Sequence, residues 1–183
     1  MRTHGFFYAV NHGCTPEQTN RIFSIAHLAF DGVASRGRPM MAYRRRGSGS
    51  VNRHLHKRSH PEALRSFLPM IDDFARHDHY NILRPILGLL ALGLKLPQDT
   101  LVDQHGYDAR GQTSVRFMKY HPRSAEEAKT KNVWLKGRTD FGSITILWSQ
   151  PVGGLGILSP DMEAGSTHRN RAVEYLRVYV CCL

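Results

Sequence analysis

Apolar and polar positions recur with two different periods along this chain, and the switch between them marks out its elements. Gly5-Phe6-Phe7-Tyr8-Ala9-Val10 reads as a short strand ended by the turn signal Asn11-His12-Gly13. A helix is expected next. Thr15 is placed to cap it, Pro16 takes the first helical position, and Gln18 is the reciprocal partner of a capping box. Ile22, Ile25, Ala26, Ala29 and Phe30 then fall at helical spacing, giving one buried stripe that stops at Asp31-Gly32.

Beyond a polar stretch, Pro61 opens a second helical segment with Leu64, Phe67 and Leu68. The apolar run from Met70 to Leu96 continues it. Pro85 lies inside that run and removes a helix donor, so the spacing predicts a kink or a break into two helices there. His77 and His79 are two apart, on different faces of a helix rather than at the i, i+4 spacing of a helical metal pair, and read as solvated. Thr113 to Tyr120 alternates in the strand manner, with Val115 and Phe117 on one face and Arg116, Met118 and Tyr120 on the other. Ser124 to Lys131 is charged, a loop or a short surface helix. The stretch from Val133 to Leu158 ends in Phe141-Gly142-Ser143-Ile144-Thr145-Ile146-Leu147-Trp148, whose β-branched and aromatic content is that of a strand. Pro151 and Gly153-Gly154 interrupt it before Leu155-Gly156-Ile157-Leu158, a pattern that predicts a hairpin.

The 183 residues suffice for one domain with a real core. A net charge of +10 admits nucleic acid or an anionic membrane surface as partners. Much of the excess lies in Arg36 to His60, around Arg44-Arg45-Arg46 and Arg53-His54-Leu55-His56-Lys57-Arg58, where Gly37, Gly47 and Gly49 favour an exposed loop. That run reads first as a solvated basic loop and second as a phosphate-binding arm. No aromatic interleaving supports nucleic acid, so it ranks last among the partners. Three cysteines, Cys14, Cys181 and Cys182, form no spaced framework, and no apolar run reaches the length of a membrane span. A reducing, cytoplasmic setting without membrane attachment is the expectation.

Several of these words resemble a known family in collinear order. Gly5 to Gly13 resembles the GFFYxxNHG signature in the N-terminal region of the iron(II)/2-oxoglutarate-dependent oxygenases, the isopenicillin N synthase-like or clavaminate synthase-like superfamily. The phrase ILRPILGLLALGLKLP, from Ile82 to Pro97, resembles the helix that supports the oxygenase sheet in fungal-type members. Arg138-Thr139-Asp140, the Ser143 to Leu147 strand and the glycines that follow resemble the family's GHTD-type motif, its xSxTxL strand and its GLG words. Ser166-Thr167-His168-Arg169 resembles the words around the family's second His, and Tyr175 to Val180 looks like its Arg-bearing final strand.

The resemblance implies an α+β fold in which N-terminal helices pack on a partial double-stranded β-helix, or jelly roll. Residues 1–110 would form the N-terminal region and 111–183 a truncated oxygenase core. It implies Fe(II) and 2-oxoglutarate as cofactors, Asp140 and His168 as metal ligands, and Tyr120 and Arg177 as contacts to the keto acid. It assigns no further catalytic residue. Two departures accompany it. Arg138 stands where the family has its first His ligand, and Met118 stands where the family has the Asn of an Asn-x-Tyr element. On the residues alone, Arg138-Thr139-Asp140 also reads as a salt-bridged strand end and Tyr120 as an ordinary sheet tyrosine. The chain looks shortened at both ends, and the interval from Asp140 to His168 is shorter than the family's, either through an internal deletion or through an unrelated C-terminus.

Three functions follow as expectations. One is an oxygenase that hydroxylates or desaturates a small organic molecule. Another is a non-catalytic relative that acts through a protein partner such as a full-length homologue. The last in rank is a basic nucleic-acid-binding protein using Arg44-Arg45-Arg46 and the cluster after it.

Overall fold

Helix α1, Pro16–Leu28, starts where its capping residues require. The Gln18 backbone N–H donates to Thr15 Oγ1 at 3.2 Å, and the Thr15 N–H donates to Gln18 Oε1 at 2.8 Å, so two of the otherwise orphaned donors are satisfied reciprocally. The computed structural model describes residues 6–30, 40–43, 62–109, 113–119, 142–150, 156–158, 167–169 and 176–180. The chain divides into two compact units, Cys14–Trp134 and Met1–Gly13 with Leu135–Leu183.

Among its described residues the Cys14–Trp134 unit is mostly helical. After α1 come the strand β2, Met40–Tyr43, and the short helix α2, Glu62–Arg65. A helical rod then runs through α3, Leu68–His77, a π-helical segment, Asp78–Leu83, and α4, Arg84–Gly93. Helix α5, Thr100–Gln104, and strand β3, Val115–Met118, complete it. The predicted stripe is the core: Ile22, Ile25, Ala29 and Phe30 are buried with Leu64, Ile71 and Phe117. Alternation along β3 is as read from the sequence, with Phe117 buried, Val115 partly buried against the same cluster, and Arg116 and Met118 exposed.

The regular α-helix breaks into two ahead of Pro85, with the π-helical segment between them. There the helix widens, and the Arg84 N–H reaches back five residues to the His79 carbonyl. A proline lacks the N–H of a regular α-turn and crowds the carbonyl four residues earlier, and a π-turn at that point is one way to relieve both. Helix α4 ends in a Schellman motif, with Leu96 N–H on the Ala91 carbonyl at 2.9 Å and Lys95 N–H on the Leu92 carbonyl at 3.0 Å. Lys95 takes the left-handed position, at φ 59°.

The basic stretch is not loop throughout. Met40–Tyr43 pairs antiparallel with β3, Met40 opposite Met118 and Tyr43 opposite Val115. Tyr120 and the residues from 44 to 61 lie outside the described residues.

The second unit contains β1, Phe6–Ala9, β4, Ile144–Leu147, β5, Gly156–Leu158, β6, Thr167–Arg169, and β7, Leu176–Val180. Strand β7 is central in an antiparallel sheet of order β1-β7-β4, and among the described residues β5 pairs with β6 in a separate two-stranded sheet. Among the described residues the Ile144 strand and the Gly156 strand do not pair, so the expected hairpin between them is not seen there. Turn residues mark where a strand stops, but the choice of partner is made across the sheet. Gly142, at φ 109°, ends the regular strand on its N-terminal side and leaves β4 shorter than its β-branched run. No helix among the described residues is long and apolar enough to cross a membrane.

Candidate functional site

Two of the four residues proposed for the iron and keto-acid site lie on described backbone. His168 is the middle residue of β6, opposite Ile157 of β5. Arg177 is on β7, with Tyr8 opposite it on one side and Leu147 on the other. Both positions are strands; the one at Arg177 was expected from the sequence words, the one at His168 was not. Both belong to the unit that also holds β1 and β4. Asp140, Arg138 and Tyr120 lie outside the described residues. Among the described residues no group of three His, Cys, Asp or Glu side chains is placed to hold a metal ion.

The donor set itself tests the fit of a metal. A carboxylate at Asp140 and an imidazole at His168 are competent donors. The guanidinium of Arg138 is not, because it has no lone pair to offer and keeps its proton in proteins. A facial triad drawn from Arg138, Asp140 and His168 would be one nitrogen donor short.

The turn of the Asn11-His12-Gly13 word is built as a turn, with Asn11 at φ 54° and Gly13 at φ 86°. Between them His12 places its ring edge-on to that of Trp148, with centroids 4.7 Å apart and planes at 80°. The histidine of this word packs beside the end of β4.

A second cluster of polar and aromatic side chains lies in the helical unit, and the sequence did not reveal it. His79, expected to be solvated, is 7% exposed. Its ring stands edge-on to Tyr80 at 4.8 Å and to Tyr107 at 5.1 Å. The wider π-turn changes the phase of the side chains, so that His79 and Ile82 both point inward. Tyr107 donates its hydroxyl to Asp72 Oδ1 at 3.0 Å, and Arg76 Nε donates to Asp72 Oδ2 at 3.2 Å. The Arg76 guanidinium also lies over the Tyr107 ring, 4.9 Å from its centroid, and that of Arg84 lies 5.7 Å from the Tyr80 centroid. His105 donates from Nδ1 to the Leu101 carbonyl at 2.7 Å. Burial first, and then the charges of Arg84 and His105, hold the His79 ring below its ordinary 6.5. Pro85 was the one sequence signal for this arrangement, and it pointed to a disturbance of the helix rather than to the histidine.

Two curated proteins are similar to the chain. The 2-oxoglutarate-dependent dioxygenase ecdK of Aspergillus rugulosus is 36% identical over 76 residues, which is 39% of this chain and 21% of the relative. The 2-oxoglutarate-dependent dioxygenase gloF of Glarea lozoyensis is 32% identical over 78 residues, 43% of this chain and 23% of the relative. The match thus spans under a quarter of each relative's own length. No protein-family model matches the chain. The two likenesses support the resemblance to 2-oxoglutarate-dependent dioxygenases that the sequence words carry.

Proposed function

We propose that the chain is built on the scaffold of the iron(II)/2-oxoglutarate-dependent oxygenases, with N-terminal helices and a jelly-roll core. Its substrate class is a small organic molecule and its reaction class hydroxylation or desaturation. The observation that carries this reading is the likeness to two curated 2-oxoglutarate-dependent dioxygenases. In this reading Asp140 and His168 face the metal, while the Tyr120 hydroxyl and the Arg177 guanidinium take the carboxylates of 2-oxoglutarate. Arginine suits that task because its planar fork offers two parallel donors to one carboxylate.

Arg138 favours a second reading, in which the chain is a non-catalytic relative acting through a protein partner such as a full-length homologue. A guanidinium beside Asp140 would compete with a metal for that carboxylate. One pair of measurements separates the readings. Metal analysis of the purified chain, together with succinate formation from 2-oxoglutarate, supports the oxygenase reading if iron is stoichiometric and turnover is seen. Absence of both from the native chain, with iron binding gained in Arg138→His, supports the non-catalytic relative on the same scaffold. If Arg138→His, folded by circular dichroism, gains no iron, the proposed ligand set is wrong.

A further inference from the structure

The buried ring of His79 stands independently of the oxygenase reading, because the described side chains around it lie in the helical unit and none of them belongs to the proposed iron site. We propose that His79 is a proton-operated latch: uptake of a proton on its ring loosens the hold of the π segment on the turn that carries Tyr107.

The groups that face His79 leave an imidazolium poorly served. From its own helical rod come the Tyr80 ring and Arg84; from the end of α5 and the turn after it come His105 and Tyr107. Arg84 and His105 repel a further positive charge. Tyrosine faces attract cations, but these two already have guanidiniums beside them, Arg76 at Tyr107 and Arg84 at Tyr80. On α3 the Asp72 carboxylate is shared between Tyr107 and Arg76. Asp78, next to His79 in the chain, bears on the Cys14 thiol. Among the described residues a charged ring at 7% exposure has only the positive groups Arg84 and His105 acting on it, so the proton is accommodated by moving the ring toward water.

The π segment supplies the means. Its backbone departs from the α-helical pattern for one turn only, between two regular helices, so a shift toward α geometry would rotate His79 while leaving α3 and α4 intact. The Tyr107–Asp72 bond does not depend on that ring and keeps the turn tethered while the latch is open.

The sign follows from proton counting. A ring whose folded value lies below 6.5 binds a proton more readily in the open state, so opening grows as pH falls below about 6.5 and levels off under the lowered folded value. One such group changes the opening constant by at most about tenfold per pH unit inside that window.

The test compares the full chain with His79→Phe, which keeps an aromatic ring and removes the proton site. Urea unfolding at pH 7.5 and 5.5 should show the native chain losing stability on acidification and the variant losing measurably less. Equal pH dependence in both overturns the proposal. Should the variant not fold, ring-proton NMR of the native chain decides. A His79 midpoint below 6.5, with the Tyr107 ring signals moving in step, supports the latch. A midpoint at or above 6.5, or Tyr107 signals that do not follow, overturns it.

Discussion

The His12 ring stands edge-on to Trp148, 4.7 Å between centroids, and so ties the turn after β1 to the residue that follows β4. Strands β1 and β4 are not neighbours; β7 lies between them. The ring pair is therefore a second link between the two edges of the three-stranded sheet, independent of the hydrogen-bond ladder.

Removing that link should weaken this sheet. His12→Ala is expected to lower stability by about 0.5–1.5 kcal/mol, the range for one aromatic pair beyond its buried area. His12→Phe should retain most of it. Urea unfolding followed by Trp148 emission, in a Trp134→Phe background, gives both values. An unchanged midpoint for His12→Ala would show that the contact carries no stability.

Lys95 occupies the left-handed position that closes α4. A side chain there places Cβ too near its own carbonyl oxygen, at about 1–2 kcal/mol, a strain glycine does not feel. Lys95→Gly should raise the thermal midpoint, the gain being offset in part by glycine's greater freedom in the unfolded chain. Lys95→Ala should leave it nearly unchanged. A fall on Lys95→Gly would mean that the lysine side chain contributes more than its backbone strain removes.

The Cys14 thiol is raised from its ordinary 9.0 to about 11, first by burial and then by the Asp78 carboxylate. Because the thiolate is the nucleophile, alkylation at pH 8 should be slower than for a free thiol, and Asp78→Asn should speed it modestly. Mass spectrometry in a Cys181→Ser, Cys182→Ser background reads the rate. The same shift makes the unfolded chain lose the proton first, so the folded state loses stability as pH rises from 9.0 toward 11. A Cys14 that reacts as fast as a free thiol at pH 8 contradicts this.

What the sequence determined by itself is what neighbouring residues decide. The Thr15–Gln18 capping box, the Ile22–Ile25–Ala29 stripe and the Val115/Phe117 alternation are local patterns, and each has the predicted form. The strand carrying Arg177 was legible in the same way, while the one carrying His168 was not read as a strand. Tertiary structure decided the partners. Strand β7 was taken up by β1 and β4 from far along the chain, Met40–Tyr43 was drawn from a basic stretch to pair with β3, and among the described residues β4 pairs with β7 and not with β5. Joining distant segments adds only slowly to the entropy of closing a loop, so the better-fitting strand can win over the nearer one. The burial of His79 has the same origin: its spacing from His77 says which way a regular helix would turn it, but the π-turn and a tyrosine from a later turn set where the ring lies.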